Sequence, residues 1–120
     1  MTNGGFVSLK DIPLEIVTEK YSRRSLIGEK EMISWVTMKA GFHSAAHSHP
    51  HEQAFWVLSG SMDFRLGTER RTCRAGDLIL VPPNVEHESW CPEDTEWVTM
   101  LAPPRVDLFP GAPIPEHLKQ

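Results

Sequence analysis

Hydrophobic and polar residues along this chain fall into short segments with a period of two, separated by glycine and proline. Met62-Asp-Phe-Arg-Leu66 alternates without a break, the pattern of a strand with one buried and one solvated face. Gln53-Ala-Phe-Trp-Val-Leu58, Asp77-Leu-Ile-Leu-Val81 and Glu96-Trp-Val-Thr-Met-Leu101 are more continuously apolar and read as core strands. Further strands are predicted at Leu14–Thr18, Arg24–Ile27, Glu31–Met38, Glu69–Cys73 and Val85–Trp90. Gly28-Glu29, Gly67-Thr68 and Ala75-Gly76 supply turns, and Ser59-Gly60 reads as a hairpin turn. No segment has a helical period. Short strands in this number, joined by tight turns, predict an all-β sandwich or barrel. Residues 1–13 read as a loose arm that ends in a short strand broken at Pro13. Residues 103–120 hold five of the ten prolines. They are expected to wrap the outside as an irregular tail, with a short helical turn at Glu116-His-Leu.

A length of 120 residues suits one domain with one core, and 40% hydrophobic with 23% charged residues is an ordinary globular balance. A net charge of −4 without a basic cluster argues against nucleic acid as a partner. No apolar run is long enough to span a bilayer, so no membrane partner is expected. The N-terminus has no basic region followed by an apolar stretch, and Cys73 and Cys91 are too few and too far apart for a disulfide framework or a zinc motif. Two reduced thiols in a cytoplasmic protein is the expectation.

Candidate chemistry concentrates in Gly41-Phe-His-Ser-Ala-Ala-His-Ser-His-Pro-His51, which holds four of the six histidines. Pro50 keeps this stretch out of a helix interior, so it is expected to be extended. His47, His49, His51 and Gln53 then share one parity, and on an inward face their side chains converge. Zinc, nickel, iron, manganese and copper accept neutral imidazole readily. Unpaired imidazoles in a dry core would be expensive, and a metal relieves that cost directly.

Two motifs give the chain a family resemblance. Gly41 is followed after five residues by His47-Ser-His49, then by Gln53, and after six more by Gly60. Gly76 is followed after five residues by Pro82, then by Asn84 where a glycine is usual, and by His87. In both order and spacing this resembles a small single-domain cupin, over about Glu31 to Leu101. The resemblance implies the double-stranded β-helix, or jelly-roll, barrel, with residues 1–120 as one cupin domain and a core at about 31–101. It implies one divalent metal (zinc, nickel, manganese or iron) held by His47, His49, Gln53 and His87. Gln53 stands where the family usually has an acid. An all-neutral ligand set leaves the ion its full charge, which suits Lewis-acid chemistry and anion capture better than iron redox cycling.

The His-Pro-His-Glu-Gln stretch is also similar to cupins that open unsaturated uronate sugars in pectin and alginate breakdown. That similarity implies a metal-dependent isomerase or lyase acting on a small oxygen-rich anion. An iron-dependent dioxygenase and a non-catalytic binding or sensor module are the alternatives. The Asp-x-Phe pair on the last long strand of the uronate cupins is matched here by Thr99 and Leu101. The proton-transfer residue is therefore sought elsewhere, with Asp107, His51 and Tyr21 as candidates. Phe55 and Val57 share the parity of Gln53 and, with Phe64, are expected to line the cavity. His43 is expected to cap a loop and His117 to be a solvated tail residue. Asp63, Arg65 and Glu69–Arg71 are expected to form a solvated face. Trp56 and Trp90 have outward parity, which predicts a homodimer.

Overall fold

In the computed structural model, which describes residues 4–119, ten strands form two antiparallel sheets. The strands are β1 (Glu15–Thr18), β2 (Tyr21–Ile27), β3 (Met32–Met38), β4 (His43–His47), β5 (Glu52–Ser59), β6 (Ser61–Leu66), β7 (Glu69–Arg74), β8 (Leu78–Val81), β9 (His87–Trp90) and β10 (Thr95–Ala102). Six of them make one sheet in the order β1-β2-β3-β10-β5-β8, and four make the other in the order β4-β9-β6-β7. This is the jelly roll that the motifs implied. No helix among the described residues is long and apolar enough to cross a membrane.

The strands alternate as their sequences do. In β3, Met32, Ser34, Val36 and Met38 are buried, and in β10 Thr95, Trp97, Thr99 and Leu101. β2 is longer than the expected Arg24–Ile27 because Arg23, a charged residue, takes an inward, buried position and masks the period. β9 is shorter than expected. The run Pro82-Pro83-Asn84 is turned at Asn84, whose φ is 64°, and the strand begins only at His87. Asn84 thus adopts the left-handed conformation that the usual glycine would supply, and its N–H donates to the His49 carbonyl at 2.7 Å.

Three expectations are corrected. Ser59-Gly60 is not a hairpin turn: β5 and β6 lie in different sheets, and the residue between them carries the chain across the sandwich. Gly76 does the same between β7 and β8, whereas Gly67 joins a true β6–β7 hairpin. Turn residues look alike in all three places, so only the sandwich distinguishes a corner from a hairpin. The tail does form a 3-10 turn at Glu116–Leu118, but it does not stay outside. Leu108 and Leu118 are buried within the core cluster, because the sandwich is open at that end and apolar tail residues close it. The arm contains a 3-10 turn at Leu9–Asp11, where Arg24 Nη1 donates to the Ile12 carbonyl and Ile12 is buried. Residues 1–3 of the arm and Gln120 of the tail lie outside the described residues.

Gly60 should be the least replaceable glycine. Its φ is +77°, and a Cβ there would lie 2.2 Å from the Asp94 carbonyl oxygen and 2.9 Å from Thr95 Cα. At Gly67, with φ +59°, a Cβ would meet nothing. Gly67→Ala should cost about 1 kcal/mol, the strain of a left-handed alanine, and Gly60→Ala clearly more. Urea unfolding of the two variants beside the natural chain checks this, and equal losses would contradict it.

Candidate metal centre

The end of the sandwich closed by the tail is lined with polar side chains. His47 closes β4 and pairs in register with His87 at the start of β9. Gln53 lies near the start of β5, and His49 sits in the bend between β4 and β5. The ligand-capable nitrogens of His47, His49 and His87 all lie within 4.8 Å of one another. Parity alone leaves the orientation of His51 open, because Pro50 precedes it, and the kink decides it. The chain bends over residues 50–51, so alternation does not run through it. His51 packs edge-on against His49 at 5.5 Å and stays out of the cluster.

Each clustered imidazole is fixed by a main-chain carbonyl two residues away. His47 Nδ1–H donates to Ala45 at 2.8 Å, His87 Nδ1–H to Val85 at 2.9 Å, and His49 Nδ1–H to His51 at 3.0 Å. A carbonyl can only accept, so Nδ1 carries the proton in all three and Nε2 presents its lone pair. Burial is the first cause that lowers the pKa of His47 and of His49, and it pushes His87 down to about 4, so the rings are neutral at ordinary pH. His87 Nε2 is buried without a hydrogen-bond partner, a state that costs about 1–3 kcal/mol.

Gln53 completes the set through a relay. The Thr99 hydroxyl donates to the Ala54 carbonyl at 3.0 Å, and Gln53 Nε2 donates to Thr99 Oγ1 at 3.0 Å. The carboxamide is thereby turned so that Oε1 faces His49 Nε2 at 2.9 Å. Both atoms offer lone pairs. Two acceptors at this distance repel unless a cation lies between them, and donors at about 2.1 Å from a shared ion are spaced on that scale. The donor set therefore fits a divalent metal at His47, His49, His87 and Gln53.

The tail and β2 supply what sequence reasoning missed. Arg105 and Arg23 are buried and both line the cavity, whose volume is about 60 Å³. Among the described residues no aspartate or glutamate lines it. Their counter-ions stand behind them. Asp107 takes Arg105 Nε at 3.0 Å and Nη2 at 2.6 Å, and Glu15 takes Arg23 Nε. An inward charge and a proline-rich tail carry no periodic signal, so neither arginine was legible. His117 is corrected too: it is not solvated but stacks on His47 at 3.8 Å between centroids, and burial pushes its pKa down to about 3.

The remaining candidates divide. Tyr21 lines the cavity, and its hydroxyl accepts from Arg23 Nη1 at 3.1 Å. Burial first, and Glu15 with it, raises its pKa, while Arg23 opposes. The Asp107 side chain is half exposed and lies behind Arg105, outside the cavity wall, with its pKa lowered by that guanidinium. His51 is not in the wall, although its Nδ1 is buried without a partner. Phe55 and Phe64 line the cavity, whereas Val57 is fully buried in the core away from it. Trp90, unlike Trp56, is shielded within the chain. His43 stacks on it at 5.4 Å and Arg70 lies over it at 4.2 Å, while the Arg70 side chain stays exposed as expected of a solvated charge.

Thr99→Val removes the anchor of the carboxamide and leaves Oε1 free to turn away. Metal affinity should fall about 10–100-fold, the usual effect of losing a partner behind a ligand, with little change in fold. A competition titration against a chelator measures this, and unchanged affinity would count against the relay. The metal-free chain should also be acid-sensitive. With His87 lowered from 6.5 to about 4, the folded state binds fewer protons than the unfolded state. Stability is full above about pH 6.5 and is lost as pH falls towards about 4. Urea midpoints of the metal-stripped chain across that range should fall steadily, and a flat profile would refute the burial of a neutral ring.

Comparison with known proteins accords with this geometry. Among curated proteins none matches the sequence. In solved structures the fold recurs. The crystal structure of an RmlC-like cupin from Shewanella frigidimarina has a TM-score of 0.82 at 24% identity, covering 88% of this chain and 96% of that one. KdgF from Halomonas sp. has a TM-score of 0.82 at 23% identity, covering 88% and 99%. The polyketide cyclase RemF from Streptomyces resistomycificus has a TM-score of 0.72 at 19% identity, covering 86% and 82%. At these identities the likeness establishes the fold alone. The Cupin domain family matches residues 34–102, from mid-β3 to the end of β10, and so spans both histidine motifs; the chain belongs to the cupin family.

Proposed function

We propose that this chain is a metal-dependent isomerase or lyase acting on a small oxygen-rich anion, with an unsaturated uronate as the substrate class. One observation carries this: neutral imidazole lone pairs and two buried guanidiniums converge on a small cavity whose wall, among the described residues, has no carboxylate. With the carboxylates that pair the guanidiniums set outside it, the wall turns positive ends of dipoles and no negatively charged group towards the cavity, which favours an anion. About 60 Å³ holds only a handful of water-sized groups, which suits the reacting end of a monomer rather than a polymer.

His47, His49, Gln53 and His87 would hold zinc, nickel, manganese or iron, which as a Lewis acid would polarise a carboxylate or carbonyl oxygen of the substrate. Arg105, kept rigid by Asp107, would bind the substrate carboxylate through a fork of N–H donors. Opening an unsaturated uronate ring involves no change of oxidation level. The anomeric O–H loses its proton, the ring C–O bond breaks, and the enol so formed takes a proton at carbon to become a ketone. Tyr21 is the expected proton-transfer residue that reaches the cavity. Its raised pKa keeps it protonated, which suits a donor rather than a base. Asp107 acts through Arg105, and His51 flanks His49. The working unit is a homodimer in the cytoplasm, and Cys73 and Cys91, both free and buried, are compatible with a reducing compartment.

The purified chain should carry about one divalent metal ion, and His49→Ala and His87→Ala should lose most of it. Incubation with an unsaturated uronate should bleach the ultraviolet absorbance of its conjugated carboxylate. Arg105→Ala should slow this by about 10–100-fold, the loss of a charged hydrogen bond. Equal metal content in all variants would exclude the centre. Tight uronate binding without turnover would instead favour a binding module, and oxygen consumption with an added diketone or thiol a dioxygenase.

A further inference from the structure

Each clustered imidazole has an aromatic ring packed against it from outside the cluster. Phe64 of β6 stacks on His87 at 5.9 Å with 13° between the planes, and His51 packs edge-on against His49 at 5.5 Å. For His47 the neighbour is His117, at 3.8 Å and 23°. The first two neighbours lie within the span 34–102 that matches the family, whereas His117 lies beyond it. The tail brings it there: the turn at Glu116–Leu118 packs on β4, and Leu118 is buried in the core. His47 is half-buried, while His49 and His87 are buried. It is therefore the imidazole that the two sheets cover least, and a ring from the tail shields it.

The contact has an uncommon geometry for two neutral rings. Aromatic pairs settle offset or edge-on with centroids about 4.5–7 Å apart, because two electron-rich faces repel. At 3.8 Å and 23° the two imidazoles lie nearly face to face. Such a stack becomes attractive when one ring loses electron density. His47 does so when its Nε2 lone pair binds a cation: the ring takes on positive character and meets an electron-rich neighbour, in the manner of a cation–π pair. A single 3-10 turn does not fold by itself. The place of Glu116–Leu118 is thus set by the burial of Leu118 and by this stack.

We propose that His117 is a positioning residue of the metal centre: its ring braces His47 from the tail, so that metal binding and closure of the tail over the cavity reinforce each other. This coupling rests on the metal-dependent reading above and is indifferent to the substrate. It is also reciprocal. Whatever factor the seated tail adds to metal affinity, the metal adds to the seating of the tail. The same tail carries Arg105, Leu108 and Leu118 into the cavity wall, so the wall is completed around a loaded site rather than an empty one.

The full chain, stripped of metal and titrated with zinc against a chelator, tests this, with hydrogen exchange read on the same samples. His117→Ala should bind zinc about 3–10-fold more weakly, the worth of one aromatic stack. His117→Phe keeps a ring but no ligand nitrogen and should restore the natural affinity. Both variants retain Leu118, so the core contact of the tail is kept, and circular dichroism checks that they are folded. In the natural chain zinc should slow exchange of the Leu118 N–H, which donates to the Pro115 carbonyl at 3.0 Å, by a similar factor, and in His117→Ala it should not. The Ile12 N–H, which donates to the Leu9 carbonyl at 3.1 Å in the turn of the arm, is the control and should not change. Equal zinc affinity in the natural chain and His117→Ala would overturn the brace and leave the metal centre in place. Equal weakening in His117→Ala and His117→Phe would overturn the stack, since the imidazole nitrogens would then be what matters. A natural chain that takes up no zinc would overturn the metal centre itself, and this coupling with it.

Discussion

Each of the three clustered imidazoles donates its Nδ1–H to a main-chain carbonyl two residues away, and much of the cavity's chemistry follows from that constraint. The carbonyls fix the tautomer, so every Nε2 presents a lone pair to the same volume. The low dielectric of the cavity keeps the rings neutral. The same burial makes unmatched lone pairs costly, and His87 Nε2 is left with no partner at all. A cation resolves both problems. Without one, His49 Nε2 and Gln53 Oε1 face each other as two acceptors, held in place by Thr99.

The jelly roll can hold such a site because its two sheets are joined only by corners and a covering tail. β5 and β9 lie in different sheets, so Gln53 and His87 approach from opposite walls. Arg105 and His117 come from beyond the last strand, on the tail that closes the open end. Buried guanidiniums are expensive unless paired. Here each is paired from behind, Arg105 by Asp107 and Arg23 by Glu15, Tyr21 and the Leu108 carbonyl. Each counter-ion is set outside the cavity, so the charge of the arginine is stabilised without a carboxylate entering the wall.

The same strands serve two surfaces. Inward positions of β5 and β10 carry Gln53, Phe55, Thr99 and Leu101, and outward positions carry Ala54, Trp56, Val98 and Met100. Because alternate residues are independent, one strand can build a polar pocket on one side and an apolar outer face on the other. A substitution at Trp56 therefore leaves the cavity side chains untouched, and one at Thr99 leaves the outer face unchanged.

The strands, the all-β class and the two histidine motifs were legible in the sequence, because alternation and fixed spacing are local properties. The sequence also marked Gln53, an amide where the family usually has an acid, and Asn84, a residue suited to a left-handed turn. It leaves the orientation of His51 open and reads His117 as solvated, because parity cannot follow a chain through a bend or along a tail without period. It took Gly60 for a hairpin because a corner and a hairpin need the same local flexibility. Arg23 and Arg105 were invisible, since a charge at a buried position contradicts the pattern used to find buried positions. Which wall a residue faces, and which distant group neutralises it, depend on contacts between segments far apart in the chain, and those contacts leave no mark on the local sequence pattern.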